Sequence, residues 1–513
     1  MRTSRDSILF LVLIGTVLLC NVSIAKDSPN VLIIQTDEHN FRTLGAYRET
    51  LPPDQAFVWG DDAVVQTPSI DSIANRGVIC TSFYATSPVC TPSRAAFFSG
   101  VPPHKTGAHS NDQPYRNDIV TFAEVLRRDG YSTGYAGKWH LDGPGKPQWA
   151  PKRQFGFADN RFMFNRGHWK NLEIADSGPR VGSRNQKDAP NYNVGDANEQ
   201  TYATDWLADR AVDFIREHAN EPFCYHLSIP DPHGPNTVRA PYDTMFADMA
   251  IRPPLSFSMS RENPAWAAAT GRNASLKFNP SLMQHYFGMV RCIDDNVGKI
   301  LNTLDELQLT DRTVIVFTSD HGDLCYEHGR LNKGNPYEGS AKIPMLIAAP
   351  GIIPPATRVD QAFGTVDFAP TLLALLGKQA PESVEGRDAS GVLTGKTQSD
   401  LDEVAILQSS GLKPSWFAVI NDRFKLVFSV SEQPWLFDLE KDPHELKNSI
   451  DVTDNQKVVR SMAAALRDYV AKQDVNFVHS KIDQQLRDLL GDDAAADDAA
   501  TDDAAADDTT DGQ

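Results

Sequence analysis

Ser87 to Gly100 read S-P-V-C-T-P-S-R-A-A-F-F-S-G, and the rest of the chain is organised around this stretch. Pro92 is suited to the first turn of a helix, where its missing N–H is not needed. The apolar residues that follow Arg94 are typical of the first buried turns of such a helix. Cys90 then lies at the helix N-terminus beside an arginine, where negative charge developing on a side chain is stabilised. The stretch therefore predicts a nucleophile at position 90.

The Cys90 motif has two interpretations. A structural half-cystine is the ordinary fate of a cysteine in an exported protein. Against this, average residue frequencies produce C-x-P-S-R by chance in only on the order of one chain of this length per thousand. The motif resembles the signature of the type I sulfatases, in which the cysteine is oxidised after translation to formylglycine and the hydrated aldehyde is the nucleophile. The resemblance implies this modification at Cys90, with a formylglycine-generating maturation enzyme as a partner.

The N-terminal residues are predicted to form a secretory signal peptide. Two arginines precede an apolar run from Ile8 to Leu19, which is too short for a comfortable membrane span, and Ser23-Ile24-Ala25 offers a cleavage site. We assign residues 1–25 to this leader and expect a secreted or periplasmic protein with no membrane span after cleavage. A lipoprotein anchor at Cys20 is the alternative, and the bulky residue before it argues against that processing.

Length and charge limit the classes of protein that fit. At 513 residues the chain can bury a large core and exceeds one ordinary domain. The formal charge of −18 argues against a nucleic-acid partner, because a binding face would need clustered Lys and Arg. Part of this charge lies in a D-D-A-A-A repeat with no apolar face, so residues 491–513 are predicted to be a disordered acidic tail.

The cysteines that follow the leader leave the disulfide pattern open. They are Cys80, Cys90, Cys224, Cys292 and Cys325. If Cys90 is consumed chemically, the other four could pair in three ways, and the sequence does not choose among them.

Polar side chains follow several predicted strands at the point where each strand ends. Strand patterns at 31–35, 131–136, 223–229 and 313–318 are each followed by acidic, basic or histidine residues. In an open α/β sheet the carboxyl ends of the strands form the ligand-binding crevice, so we expect these side chains to meet there beside Cys90 and Arg94. They are Asp37 and Glu38, Lys138 and His140, His233, and Asp320 and His321, with Lys333 in the loop beyond. Carboxylates from two distant strands beside a nucleophile indicate a site for a hard divalent cation.

The pattern divides the chain into a catalytic domain over 26–390 and a smaller C-terminal α+β subdomain over 400–490. In the subdomain, three short strands with tight turns between 416 and 439 predict an antiparallel sheet, and one helix over 458–470 can cover it. In the catalytic domain, residues 143–198 lack steady periodicity and are treated as a long insertion near the pocket mouth. The prolines from Pro230 to Pro235 are expected to end the preceding strand and to hold His233 on a stiff loop.

The order and spacing of these motifs resemble the type I sulfatases from Asn30 to about Asn448, within the alkaline-phosphatase-like superfamily. The resemblance implies an α/β fold in which helices sandwich a mixed sheet. It also implies a calcium ion, whose ligands fall on Asp37, Glu38, Asp320, His321 and the modified Cys90. Glu38 departs from the family pattern, which usually has Asp or Gln at this position.

The remaining catalytic positions of the family fall on Arg94 in C-x-P-S-R, on Lys138 and His140 in G-K-W-H, on His233 in P-x-P-H and on Lys333 in N-K-G. A sulfate ester is negatively charged and repels a nucleophile, so fixed cations are needed to hold the sulfuryl oxygens. The resemblance implies that calcium and Arg94 polarise the nucleophile, while Lys138 and Lys333 hold those oxygens. His233 is the expected proton donor to the leaving alcohol, with Lys333 assisting. His140 is expected to remove the proton that regenerates the aldehyde.

These observations predict a calcium-dependent sulfate-ester hydrolase that acts on a sulfated carbohydrate. The carbohydrate part rests on export and on the aromatic and Arg-rich stretch from Phe162 to Trp169, which could stack on and pair with an anionic sugar. Two alternatives stay open. One is a phosphonate monoester or phosphodiester hydrolase, since relatives with the same motif cleave phosphorus esters. The other is a non-catalytic binder of sulfated glycans in which Cys90 stays a thiol.

Overall fold

The run Val31-Leu32-Ile33-Ile34 forms the centre of a large mixed sheet. In the computed structural model, which describes residues 28–258, 264–267, 276–474 and 476–491, the run lies in strand β1 (Asn30–Asp37). Its side chains alternate between two apolar cores, Val31 and Ile33 entering one and Leu32 and Ile34 the other. Both faces of the strand are therefore covered, as predicted. The predicted leader and, apart from Gly491, the predicted acidic tail lie outside the described residues.

The other strands follow along the chain. They are β2 (Val78–Cys80), β3 (Phe83–Tyr84), β4 (Ser132–Lys138), β5 (Asp159–Phe164), β6 (Leu172–Ala175), β7 (Gly178–Val181), β8 (Phe223–Pro232), β9 (Thr313–Ser319), β10 (Met345–Ala348), β11 (Thr357–Val359), β12 (Phe363–Gly364), β13 (Ala405–Gln408), β14 (Trp416–Ile420), β15 (Phe424–Ser429) and β16 (Trp435–Asp438).

The large sheet has eight strands in the order β11-β2-β10-β9-β1-β8-β4-β5. Strand β1 pairs in parallel with both β8 and β9, and β4 pairs in parallel with β8 and β5. Strand β10 is antiparallel to β9 and β2, so the sheet is mixed. Because β1, β4, β8 and β9 all run in one direction, their carboxyl ends meet at one edge of the sheet.

Helices cover both faces of this sheet. In chain order, the α-helices of the described residues are α1 (Gly45–Arg48), α2 (Pro53–Ala56), α3 (Pro68–Arg76), α4 (Cys90–Ser99), α5 (Phe122–Arg128), α6 (Ala203–Glu217), α7 (Leu255–Ser258), α8 (Pro280–Glu306), α9 (Glu338–Ala341), α10 (Phe368–Leu375), α11 (Ser390–Leu393), α12 (Gln456–Val470) and α13 (Ser480–Leu490). Helices α4, α5 and α10 pack on one face of the sheet, and α3, α6 and α8 pack on the other. The structure confirms the predicted α/β fold with a mixed sheet sandwiched by helices.

Helix α4 begins at Cys90 and is buried along its whole length. The Phe97 ring stacks on Phe368 with centroids 3.9 Å apart, and the Phe98 ring lies 5.5 Å from that of Phe122. Gly100 ends the helix with φ 71°, a left-handed conformation that glycine adopts without strain. This aromatic packing holds the N-terminal end of α4 in a fixed position against the sheet.

The C-terminal subdomain contains more secondary-structure elements than predicted. Strand β13 adds a fourth strand to the expected three, and α13 adds a second helix to the expected one. Helices α12 and α13 pack on one face of this antiparallel sheet, and residues of the catalytic domain, among them Tyr84 and Tyr337, pack on the other. The four residues of β13 follow a polar Gly-, Ser- and Asp-rich stretch, so their alternation is too short to identify a strand.

Two expectations for the catalytic domain need correction. Residues 143–198 are only partly an insertion, because β5 completes the large sheet beside β4, and β6 and β7 form a hairpin. Strand β8 continues to Pro232 instead of ending at Ile229, with a shift of register opposite Asp37. Proline lacks an N–H but keeps its carbonyl, so the prolines do not by themselves end the strand.

Two further predictions concern disulfide pairing and membrane-spanning helices. Cys80, Cys90, Cys224, Cys292 and Cys325 are all free and buried, so none of the three pairings exists among the described residues. In the same residues, no helix is both long enough and apolar enough to cross a membrane.

A buried lysine joins the C-terminal sheet to the catalytic domain, and its removal is expected to destabilise the protein. Lys425 Nζ lies 2.8 Å from Glu338 Oε1 and 2.6 Å from Glu445 Oε1. The change Lys425→Met leaves the buried Glu445 without a cation and Glu338 with Lys342 alone, which should lower the free energy of unfolding by about 3 kcal/mol in chemical denaturation. The exposed Lys441, whose Nζ lies 3.5 Å from Asp438 Oδ2, supplies the control. Lys441→Met should change the free energy of unfolding by less than about 0.5 kcal/mol. Equal stability of the two variants would contradict the assignment.

Candidate active site

Cys90 contacts side chains at the ends of β1 and β9. Its Sγ lies 3.1 Å from His321 Nε2 and 3.9 Å from Asp37 Oδ1. Together with Asp320, these residues form a buried cluster whose possible ligand atoms all lie within 4.8 Å of one another. The predicted nucleophile and three of the predicted metal ligands are therefore brought together.

The protonation pattern of His321 directs one ring nitrogen into this cluster. A carbonyl oxygen can only accept, so His321 Nδ1 donates to Gly322 O at 2.9 Å and Nε2 remains for the cluster. Burial lowers the pKa of His321, but Asp320 and Cys90 outweigh burial and raise it to about 9. The surroundings thus favour positive charge beside two carboxylates. Two hard oxygen ligands and one imidazole fit a divalent cation.

Arg94, one turn into α4, balances the two carboxylates. Its Nε donates to Asp320 Oδ2 at 2.8 Å, and its Nη2 lies 3.5 Å from Asp37 Oδ2. Its Nη1 donates to Lys138 O and Ser228 Oγ, both at 2.8 Å. Burial lowers the pKa of Arg94, but Asp320 and Asp37 raise it more, so the guanidinium stays charged. Arg94 therefore ties α4 to two strands and stabilises the acidic cluster.

Lys138 and His140 both contact carboxylates of the site, although β4 ends at Lys138 and His140 has a left-handed backbone with φ 63°. Lys138 Nζ donates to Asp37 Oδ2, and His140 Nε2 lies 3.4 Å from Asp112 Oδ1. Trp139, between them, is fully buried in the core. His140 Nδ1 is buried and has no hydrogen-bond partner among the residues that the structure describes. It is therefore available as a proton acceptor inside the site.

Glu38, His233 and Lys333 form a second group beside the cluster. Glu38 Oε1 lies 3.0 Å from Lys333 Nζ, and Glu38 Oε2 lies 3.0 Å from His233 Nε2. Lys333 Nζ and His233 Nε2 are 2.7 Å apart. The carboxylate of Glu38 thus contacts these two side chains and is not part of the four-residue cluster around Cys90. Its assignment as a calcium ligand stays a prediction, which this arrangement does not favour.

His168 belongs to the site and was not identified from the sequence. Its Nε2 lies 2.8 Å from Lys138 Nζ and 3.8 Å from Asp37 Oδ2, and its ring stacks on His233 with centroids 3.5 Å apart. The residue follows the carboxyl end of β5, at the same sheet edge as the other site residues. Recognition of β5 as a strand would have pointed to His168, but its residues lay in the stretch treated as an insertion.

The stretch from Phe162 to Trp169 contributes less aromatic surface than predicted. Trp169 is buried, and Phe162 packs against Trp206. Arg166 instead reaches the site, where its Nε lies 2.9 Å from the Asp112 carboxylate that also contacts His140.

Comparison with known proteins identifies the family. The Sulfatase family model matches residues 29–378, and the model for the C-terminal part of N-sulphoglucosamine sulphohydrolase matches residues 326–472. The chain belongs to the sulfatase family. It is therefore a sulfuric ester hydrolase.

Relatives of this sulfatase match over most of their length. The uncharacterized sulfatase YidJ of Escherichia coli strain K12 is 27% identical over 86% of this chain and 87% of that protein. The N-acetylglucosamine-6-O-sulfatase of Bacteroides thetaiotaomicron is 26% identical over 82% of each chain.

Solved structures confirm the fold. A protein crystallised with its substrate D-glucosamine-2-N,6-O-disulfate covers 91% of this chain and 100% of its own, with 22% identity and a TM-score of 0.68. The phosphonate monoester hydrolase of Agrobacterium radiobacter covers 86% and 96%, with 22% identity and a TM-score of 0.65. At these identities the likeness shows the fold alone.

The site should make an unmodified Cys90 unusually reactive. Burial raises the pKa of its thiol, but Lys138, Lys333 and His321 outweigh burial and hold that pKa well below its ordinary value. Burial raises the pKa of Cys80 to about 12. Iodoacetamide at pH 7 should therefore label Cys90 at least about tenfold faster than Cys80, as followed by peptide mass spectrometry of unconverted protein. Lys138→Met removes the charge that lowers the pKa of Cys90 most, so it should slow the labelling of Cys90. An unchanged labelling rate would contradict this explanation.

Proposed function

We propose that this sulfatase hydrolyses sulfate esters of an anionic carbohydrate, with formylglycine made from Cys90 as the nucleophile and a calcium ion at Asp37, Asp320 and His321. The observation that carries the proposal is the four-residue cluster, which sets a helix N-terminal Cys90 against two buried carboxylates and an imidazole. When present, the two groups would supply a hydroxyl nucleophile and positive charge next to it. Conversion of Cys90 replaces a soft sulfur by oxygen, the donor that calcium prefers.

Two lysines are suited to holding the sulfuryl oxygens. An ammonium group has three N–H donors and no acceptor. Lys138 uses two of its donors on Asp37 and His168. Lys333 uses one on His233, and its ammonium group lies 3.0 Å from Glu38 Oε1. Each therefore keeps one donor for an oxygen of the substrate, in a buried site where such bonds are strong.

We propose Lys333, before His233, as the donor of the proton to the leaving alcohol. His233 Nδ1 donates to Gly234 O at 2.8 Å, so its Nε2 is the acceptor that faces Lys333. Burial, with His168 and Lys333, lowers the pKa of His233 well below its ordinary value, so the ring is neutral. Lys333 is thus the proton donor in this pair, and His233 orients it. This reverses the order of the two roles expected from the sequence.

His140 is suited to the opposite proton transfer. Asp112 Oδ1 lies 3.4 Å from Nε2 and can accept a proton from it, and the buried Nδ1 has no hydrogen-bond partner among the described residues. Nδ1 can then take a proton from a hydroxyl group at position 90, which lies beside it in the site.

An anionic carbohydrate is the substrate class that the pocket rim favours. The guanidinium group of Arg166 contacts Asp112 through its Nε, at 2.9 Å, and its two Nη atoms form no hydrogen bond with the described residues. About a third of the Arg166 side chain is exposed. Lys146 Nζ lies 4.5 Å above the Tyr192 ring. Free guanidinium donors and a cation over an aromatic ring suit a charged sugar. Relatives include the N-acetylglucosamine-6-O-sulfatase and the ulvan-active sulfatase of Formosa agariphila. The predicted leader places this activity outside the cytoplasm.

Turnover and mass spectrometry together test this function. Protein made alongside a formylglycine-generating enzyme should carry an active-site peptide that has lost sulfur at position 90. It should hydrolyse 4-nitrophenyl sulfate faster than an aryl phosphonate, and it should release sulfate from members of a panel of sulfated mono- and oligosaccharides. Cys90→Ala, the matched control, should lose at least about a thousandfold in rate. Faster phosphonate turnover would favour the phosphonate hydrolase instead, and an unmodified, inactive peptide would favour the non-catalytic glycan binder.

Calcium affinity should separate the two acidic groups of the site. Asp320→Asn removes a carboxylate from the four-residue cluster, so calcium binding to chelator-treated protein should weaken by at least about a hundredfold in titration calorimetry. Glu38→Gln should change it by less than about threefold, because that carboxylate faces Lys333 and His233. A loss in Glu38→Gln as large as that in Asp320→Asn would establish Glu38 as a ligand.

A further inference from the structure

We propose that His168 is a positioning residue that aligns Lys138 and His233 for cleavage of the sulfate ester. The inference rests on the function proposed above and adds a residue that the family resemblance does not include. His168 contacts one side chain assigned to the sulfuryl oxygens and another assigned to the leaving-group side.

The backbone around His168 is held rigidly by its neighbours. Gly167 has φ 123°, and a Cβ there would lie 2.4 Å from the Trp169 ring, so a side chain would clash. Trp169 is buried and its Nε1 donates to Arg166 O at 3.1 Å. Such a segment can hold the His168 ring in one place without an ordering cost on substrate binding.

The contact with Lys138 has only one possible direction. The ammonium group of Lys138 carries donors and no acceptor, so His168 Nε2, 2.8 Å away, must be the acceptor. With Asp37 accepting a second proton of the same group, the third N–H of Lys138 has a fixed direction. Loss of the His168 acceptor would free the ammonium group to rotate and to bond elsewhere.

The contact with His233 works through the ring face. The centroids of the two imidazole rings are 3.5 Å apart and their planes are inclined by only 7°, so His168 covers one face of His233. His233 can then turn only in the plane that keeps its Nε2 on Lys333. Removal of the stacked ring would allow His233 to tilt and would disturb the donor at Lys333.

The same segment also holds the backbone of His233. Lys170 Nζ donates to Asp231 Oδ1 at 2.5 Å and to His233 O at 3.2 Å. Tyr202 and Thr204 donate to the other oxygen of Asp231, each at 2.6 Å. Residues 168–170 therefore fix the ring of His233 from one side and its carbonyl from another.

Two variants separate the two contacts, with two aryl sulfates as substrates. His168→Phe keeps a stacked ring and removes the acceptor, and His168→Gln keeps an acceptor near the position of Nε2 and removes the ring. Phenyl sulfate has a poorer leaving group than 4-nitrophenyl sulfate and depends more on proton donation. We expect His168→Phe to lower kcat/KM for both substrates by a similar factor of about ten. We expect His168→Gln to lower kcat/KM for phenyl sulfate by a factor about ten times larger than the factor for 4-nitrophenyl sulfate.

Binding of inorganic sulfate gives a readout that does not depend on turnover. With Cys90 replaced by Ala in every protein, His168→Phe should bind sulfate about tenfold more weakly than the parent, and His168→Gln should bind within about threefold. His218→Asn is the control, since this ring packs on Phe214 away from the site and its side chain is 21% exposed, against 19% for His168. It should change neither kinetics nor binding.

The outcomes are distinguishable. Wild-type rates and wild-type sulfate affinity in both His168 variants would overturn the positioning role. So would an equal loss of kcat/KM on the two aryl sulfates in both variants, if it is accompanied by a lower thermal midpoint. If the unsubstituted, converted enzyme hydrolyses no sulfate ester, the proposed function fails, and the sulfate-binding comparison still decides whether His168 aligns Lys138.

Discussion

The carboxylate of Asp37 is the group on which the rest of the site depends. It is fully buried, it accepts from Lys138 Nζ, and it lies 3.5 Å from Arg94 Nη2 and 3.7 Å from His321 Nε2. Burial raises the pKa of Asp37, but Lys138 outweighs burial and holds that pKa well below its ordinary value. A buried charge of this kind is stable only while its partners stay in place, so Asp37 and its cations stabilise one another. Through Arg94 and Lys138 this carboxylate links helix α4 to the end of strand β4.

The mixed sheet makes such a concentration of charge possible. Because β1, β4, β8 and β9 are parallel, their carboxyl ends bring residues that are far apart in the chain to one edge of the sheet. The aromatic packing beneath α4 then holds the N-terminus of that helix against the edge, where its dipole favours negative charge. The apolar core therefore contributes to the site by holding Cys90 and Arg94, at the start of α4, next to the carboxylates of the sheet edge.

The family resemblance accounts for most of the site, and particular residues of this chain account for the remainder. Glu38 is longer than the usual residue and contacts Lys333 and His233. His168 and Arg166 come from the segment after β5, which closes the large sheet on that side. These residues lie around the four-residue cluster without belonging to it.

The sequence by itself determined the family, the central strand β1, helices α4 and α12 and the side chains that meet at the sheet edge. These features depend on local pattern: a continuous apolar run, a proline in the first helical turn, or a stripe of apolar residues at helical spacing. Tertiary structure alone decided the strand character of β5 and β13, the continuation of β8 through its prolines, the free state of the cysteines and the places of His168 and of the Glu38 carboxylate. Each of these depends on which distant segment lies beside the residue, and a short polar or mixed stretch carries no local signal of its partner.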